Sequence, residues 1–110
     1  MIIGIAGPYS AATAQERQNN LDLLNEAAAQ VLNKGHVPFI GVNAALPVVE
    51  RIVENERYEN IMKISLAVIN CCDALLLIKE SPGANREKEL MLNKGLPVYY
   101  SLDEVPEAAQ

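Results

Sequence analysis

The stretch MIIGIAGPYS, residues 1–10, decides the fold: an apolar run containing β-branched residues leads into a Gly-Pro turn. Such a run is typical of a strand that a parallel sheet buries on both faces. A second continuous apolar run covers residues 74–78 and is bounded by Asp73 and by the polar residues 79–81. A helical pattern follows each run, so we predict two buried strands, each leading into a helix.

The segments between these strands have their own signals. Thr13 and Glu16 form a capping-box pattern, and the helix that they begin is expected to end at Lys34-Gly35. Residues 36–40 follow as a strand, placed at a sheet edge because Pro38 cannot donate to a ladder. A loop is predicted at residues 43–47.

Helical spacing of apolar residues runs from Val48 to Ile69, and we predict two helices interrupted around residues 55–58. After the strand at 74–78, the pattern predicts a helix over residues 85–94 and a strand over residues 97–100. The acidic tail, residues 103–110, is expected to be frayed.

This alternation predicts an α/β fold: a doubly wound, flavodoxin/Rossmann-like three-layer sandwich with a mainly parallel sheet of about four strands in the order 2-1-3-4. Residues 1–110 are expected to form one domain. In that order the first and third strands are neighbours, and a ligand crevice is expected between the loops that follow them. Those loops are residues 7–10 and residues 81–84.

Composition narrows the function classes. The chain has 9 basic and 14 acidic residues, a balance that disfavours nucleic acid polymers and anionic membranes as partners. It has neither a run of about 20 apolar residues nor a signal-peptide pattern, so we predict a cytoplasmic protein. The adjacent Cys71 and Cys72 are interpreted as reduced, buried packing residues. We predict no metal site and no cofactor.

The first loop supplies four candidate binding residues, Gly7, Pro8, Tyr9 and Ser10. Gly7 allows backbone to approach a ligand, Pro8 fixes the turn, and two hydroxyls follow just before a helix whose amino end favours anions. An ordinary strand exit with a capping serine would look the same. The stretch matches neither the dinucleotide-binding nor the Walker-type glycine pattern.

The second loop offers Ser81 and Gly83 before the predicted helix, with Glu87 expected in the first helical turn. An acidic residue at that position also complements the helix dipole without any functional role, so this alternative stays open. Glu89 points about 200° away from Glu87 around the helix and is not expected to share its role. A carboxylate pair with Asp73 is disfavoured, because Asp73 enters its strand roughly 20 Å from the Ser81 loop.

Four further polar residues were considered. Arg17 and Arg86 are each able to neutralise a phosphate, although helical arginines are usually just solvated. Asn43 completes the predicted substrate-binding set. His36, the sole histidine, lies at the amino end of the second strand, so no catalytic or metal role is assigned to it.

Three segments carry a family resemblance: residues 3–10, residues 70–75, and residues 81–99. Together they resemble the nucleoside 2-deoxyribosyltransferase-like superfamily, and within it a small branch that begins with an "AGPYS"-like strand and loop. The resemblance implies cleavage or exchange of the N-glycosidic bond of a deoxynucleoside or its 5′-monophosphate. It also implies that Glu87 is the nucleophile, that residues of both loops hold the sugar, and that the protein is a homo-oligomer.

One departure bears on catalysis. Superfamily members often carry a second acid in the helix before the third strand, and residues 65–68 here contain none. A partner subunit could supply one, such as Glu54 or Glu59. Two functions therefore stay open, an N-glycosidic-bond enzyme and a non-catalytic module that binds a nucleotide or sugar phosphate; a purely structural oligomer ranks third.

Overall fold

In the part of the chain that the structure describes, four parallel strands form one sheet in the order β2-β1-β3-β4. The structure is a computed structural model that describes residues 1–52 and 56–109. Its elements are β1 (Ile2–Ala6), α1 (Ala14–Asn33), β2 (Val37–Phe39), α2 (Gly41–Val49), α3 (Arg57–Ile69), β3 (Ala74–Leu77), α4 (Pro82–Asn93), β4 (Val98–Tyr99) and a 3₁₀ turn (Leu102–Glu104). The predicted strand order, the edge position of β2 and the three-layer α/β architecture are confirmed.

The buried strands divide their side chains between two apolar clusters. Ile3 and Ile5 of β1 pack with buried residues of α1 and α2, whereas Ala6 packs with residues of α4 and the end of α3. The same alternation occurs in β3, where Leu76 joins the first cluster and Leu75 the second. Both strands are therefore covered on both faces, as their continuous apolar sequences predict.

The register of β1 and β3 places the candidate loops side by side. Ile3 pairs with Ala74 and Ala6 pairs with Leu77, so both strands end at the same level of the sheet. The chain then leaves β1 toward α1 and leaves β3 toward α4. The amino-terminal turns of α1 and α4 consequently lie together at the carboxyl ends of β1 and β3, where doubly wound folds bind ligands.

The boundaries of α1 agree with the prediction. The Thr13 hydroxyl accepts a hydrogen bond from the Glu16 amide at 3.1 Å, as an N-cap should. The helix ends at Asn33, and Gly35 follows with a φ of 92°. Positive φ is readily adopted by glycine, which explains the Lys34-Gly35 signal.

The predicted loop at residues 43–47 is wrong, because these residues lie within α2. Pro47 lacks the amide proton of a helical hydrogen bond and so disfavours the interior of a helix. Burial of one helical face favours the helix instead. Four residues at helical spacing face the core and are at most 8% exposed: Val42, Ala45, Leu46 and Val49.

The predicted interruption of the next helical pattern is only partly described. Residues 53–55 lie outside the described residues, and α3 begins at Arg57, so the last two positions of the predicted break are helical. Helix α4 also begins earlier than predicted, at Pro82 rather than residue 85. Ser81 is its N-cap and accepts from the Ala84 amide at 3.1 Å, with proline in the first turn, where its missing amide costs little.

The expected frayed tail is wrong for residues 103–108. Val105 is 1% exposed, and its carbonyl accepts from Lys34 Nζ at 2.9 Å. His36 joins both ends of the described chain, with its Nδ1 3.0 Å from the Met1 amino group and its Nε2 2.7 Å from the Pro106 carbonyl. Burial of Val105 and the hydrogen bonds to the tail carbonyls thus order a segment whose acidic composition suggested fraying.

The two cysteines differ in environment. Cys72 is buried and Cys71 is exposed, so the prediction of two buried thiols is wrong for Cys71. Burial raises the pKa of the Cys72 thiol to about 11. Its thiol therefore stays protonated at neutral pH and serves packing.

Candidate functional site

A cavity of about 790 Å³ lies where the carboxyl ends of β1 and β3 meet. The loop after β1 forms one wall and the first turns of α4 form another. Apolar side chains of α2 and α3 close the remaining side, among them Val42, Ile61 and Met62. The volume is within the range of pockets that enclose a small organic ligand.

Glu87 is the buried acid of this cavity. It lies in the second turn of α4, one turn deeper than predicted, and is 8% exposed. Its Oε1 accepts a hydrogen bond from the Ser65 hydroxyl at 3.2 Å, and its Oε2 has no hydrogen-bond partner among the described residues. A carboxyl placed only to complement the helix dipole would lie exposed in the first turn, so that interpretation is wrong.

Burial sets the protonation of this group. Loss of solvation raises the pKa of the Glu87 carboxyl to about 8, and the hydrogen bond from Ser65 acts in the opposite direction. At neutral pH the carboxyl of the ligand-free protein is therefore mostly protonated. A strongly raised carboxyl pKa within a cavity is typical of functional acids and bases.

The Ser65 hydroxyl is held in place by close packing of α2 against α3. A Cβ atom added at Gly41 would lie 2.9 Å from both the Cα and the carbonyl oxygen of Ser65, and still closer to its hydroxyl. Ser65 itself is 1% exposed. The glycine thus lets the two helices approach until the serine has little freedom to turn away from Glu87.

The structure brings eight of the nine predicted site residues together. These cavity-lining residues are Gly7, Pro8, Tyr9, Ser10, Arg17, Ser81, Gly83 and Glu87. Asn43 is not among the cavity-lining residues; its amide donates to Asn25 Oδ1 at 2.8 Å. A Cβ at Gly7 would lie 2.6 Å from Ile78 Cγ1, so packing against that side chain already requires glycine there.

Two acids and an arginine considered from the sequence are engaged elsewhere. Asp73 accepts from the Ile2 amide at 2.8 Å, at the amino ends of the strands. Arg86 pairs with Glu59 at 2.9 Å and lies 5.9 Å from the centre of the Tyr58 ring. Glu59 therefore has a cationic partner in its own chain, and Glu54 lies outside the described residues.

Several cavity residues were not predicted from the sequence, chiefly Arg57, Tyr58, Met62 and Ser65. All four are on α3, which reaches the cavity only after the chain has crossed back over the sheet. In the sequence, Ser65 stands out only as one of four positions, residues 65–68, that lack an acid. A polar residue within the apolar helical stripe of α3 was the available signal for it.

The sheet order and the cavity at the carboxyl ends of β1 and β3 define the class of protein: a doubly wound α/β protein. Residues 1–100 match the family described as "Domain of unknown function (DUF4406)", and the chain belongs to that family. No curated protein sequence matches the chain.

Similarity to a solved structure agrees with this fold. The chain is similar to the 2-deoxyribosyltransferase from the psychrotolerant bacterium Bacillus psychrosaccharolyticus, described as a biocatalyst for the synthesis of antiviral and antitumoral nucleosides. The TM-score is 0.66 at 22% sequence identity, and the alignment covers 89% of this chain and 69% of that one.

Two features are absent from the described residues, a metal-binding cluster and a membrane-spanning helix. No group of three or more His, Cys, Asp or Glu side chains is arranged to hold a metal ion. No helix in residues 1–52 or 56–109 has the length and apolar character needed to span a membrane.

Proposed function

We propose that this protein is a cytoplasmic, homo-oligomeric enzyme that cleaves or exchanges the N-glycosidic bond of a nucleoside or nucleotide, as a 2-deoxyribosyltransferase or N-glycosidase. The observation that carries the proposal is the Glu87 carboxyl, buried in a ligand-sized cavity with one oxygen that has no hydrogen-bond partner among the described residues. The similarity in fold to a 2-deoxyribosyltransferase supports the choice of substrate class.

In this proposal Glu87 Oε2 attacks the anomeric carbon of the sugar. The new C–O bond forms as the C–N bond breaks, and the electron pair of that bond leaves with the base. Ser65 fixes Oε1 and so aims Oε2 at the substrate. Water or a second base then displaces Glu87 from the glycosyl-enzyme.

The leaving base also needs a proton, and the cavity offers two phenol groups in place of a second acid. Tyr9, from the loop after β1, and Tyr58, from α3, both line it. Arg86 lies over the Tyr58 ring and is itself held by Glu59, which restricts the position of that tyrosine. Either phenol, or water, is able to deliver the proton in this proposal.

Incubation with a panel of nucleosides, 2′-deoxynucleosides and their 5′-monophosphates tests the proposed activity. We expect chromatography to detect free base from at least one substrate, and mass spectrometry of the quenched enzyme to place a glycosyl adduct on the peptide containing Glu87. No base from any member of the panel would refute the enzyme. Ligand-dependent thermal stabilisation in that case would indicate the binding module instead.

A pH profile tests the role of Ser65. Because attack needs the ionised carboxyl, we expect kcat/KM of the wild type to rise with pH up to about 8, where Glu87 titrates. Removal of the Ser65 hydrogen bond should raise the pKa of Glu87 further. Ser65→Ala should therefore lower kcat/KM strongly at pH 7 and much less at pH 9. An equal loss at both pH values would contradict an effect of Ser65 on the pKa of Glu87 and would leave only its effect on the position of Oε1.

A further inference from the structure

The cavity contains two arginines in an otherwise acidic protein. The chain carries a formal net charge of −5, yet Arg17 and Arg57 both line the cavity, and Glu87 is the sole acidic lining residue among those the structure describes. The described lining therefore carries a net positive charge even with Glu87 ionised, and two positive charges with Glu87 protonated.

Neither arginine is neutralised by a carboxylate of the described residues. Arg17 Nη1 donates to the Ala11 carbonyl at 3.0 Å, a contact that holds the guanidinium over the first loop but leaves its charge uncompensated. For Arg57, no ion pair is formed within residues 1–52 and 56–109. By contrast, Arg86 pairs with Glu59, and Lys88 pairs with Glu80 at 3.2 Å, both outside the cavity.

The cavity wall beside these arginines also favours an anion. It includes the amino end of α4, a helix of 12 residues, where backbone dipoles converge. The Ser81 oxygen accepts from the Ala84 amide, so its hydroxyl proton remains available to a ligand oxygen. The buried Oε2 of Glu87, which has no partner in the part of the chain that the structure describes, independently indicates that the same cavity takes a polar ligand.

We infer that the ligand carries a phosphomonoester, which Arg17 and Arg57 neutralise, so that the substrate class is nucleoside 5′-monophosphates rather than neutral nucleosides. This inference rests on the proposed function for the nucleoside part of the ligand. A phosphomonoester bears a charge of about −1.5 to −2 at pH 7, which matches two guanidinium groups. Arginine also suits phosphate because its planar fork donates two hydrogen bonds at once.

Isothermal titration calorimetry separates the contributions of phosphate and nucleoside. The probes are a deoxynucleoside 5′-monophosphate, the same deoxynucleoside, 2-deoxyribose 5-phosphate and inorganic phosphate. We expect the monophosphate to bind at least about tenfold more tightly than the nucleoside, and the sugar phosphate to bind more tightly than inorganic phosphate. Arg17→Gln and Arg57→Gln should each weaken monophosphate binding by about tenfold to a hundredfold and leave nucleoside binding nearly unchanged.

Arg51→Gln is the matched control, since Arg51 is exposed, donates to the Pro47 carbonyl and does not line the cavity. Equal affinity for nucleoside and monophosphate, equal weakening of both by the arginine variants, or no binding of any probe would overturn the inference. Base release from nucleosides at the rate seen with monophosphates would also overturn it while leaving the proposed function standing. Monophosphate binding without base release would refute the proposed enzyme and leave this inference intact.

Discussion

Replacing Glu87 with glutamine should abolish base release and, at the same time, make the folded protein more stable at pH 8. Removal of the proposed nucleophile is expected to lower kcat by about 10³-fold or more. The gain in stability follows from the environment of the carboxyl, which is buried and has one oxygen that no group of residues 1–52 or 56–109 hydrogen-bonds. If Glu87 served packing alone, Glu87→Gln would lower the stability of the folded protein at pH 8 instead of raising it.

The sign of the pH dependence follows from the direction of the pKa shift. Burial raises the pKa of Glu87 from 4.5 to about 8, so the folded protein holds a proton that the unfolded chain releases at lower pH. The free energy of unfolding is therefore highest, as far as this group is concerned, below pH 4.5. It falls as the pH rises from about 4.5 to about 8, by at most roughly 5 kcal/mol.

Glutamine is uncharged throughout this range and keeps the acceptor for the Ser65 hydroxyl. We therefore expect Glu87→Gln to exceed the wild type by about 2–3 kcal/mol at pH 8, after allowing for burial of the amide donors. Near pH 4.5 the difference should disappear or reverse. Urea unfolding at pH 4.5, 6 and 8 measures both effects.

Glu89→Gln is the control for this measurement, because Glu89 is exposed on the same helix only two positions away. It should change neither base release nor the pH dependence of stability. A Glu87→Gln protein less stable than the wild type at pH 8, or a difference that does not vary with pH, would contradict the account of a buried carboxyl with a raised pKa.

The strands were predictable because each is a short apolar run with clear boundaries. Residues 74–78 combine a continuous apolar sequence with polar flanks, and β3 lies there. The helix ends before Gly35 and Gly95 were also predictable from a local signal. Glycine readily adopts a positive φ after the last helical turn, and both glycines have a positive φ. Local chemistry determines these features, and the alternation of elements then restricts the strand order.

Helix α2 was not predictable in this way, because local and tertiary preferences disagree there. Pro47 favours a break, whereas burial of Leu46 and Val49 favours a helix, and the sequence does not reveal how much apolar surface α3 offers. In the candidate site, too, some positions follow from local sequence and others only from tertiary packing. The loop residues Tyr9 and Ser81 follow the strand pattern directly, but Ser65 reaches Glu87 only through the packing of α3.

Gly41→Ala should be strongly destabilising, by about 3 kcal/mol, although alanine is the better helix former. The added methyl group would lie 2.9 Å from the Cα and carbonyl oxygen of Ser65, which is backbone that cannot turn aside. Helices α2 and α3 would have to separate, and the Ser65 hydroxyl would move relative to the Glu87 carboxyl. Urea unfolding and the pH profile of kcat/KM measure the two consequences.

Gly95→Ala provides the contrasting case, because a Cβ at Gly95 meets no heavy atom of the described residues within 4 Å while its φ is 71°. It should cost only about 1 kcal/mol, from backbone strain, and leave the pH profile unchanged. The double variant Gly41→Ala with Ser65→Ala relieves the overlap with the hydroxyl but not the overlap with the backbone. Its stability should recover in part, because the backbone contacts persist; full recovery would show that the hydroxyl alone determines how closely the two helices approach.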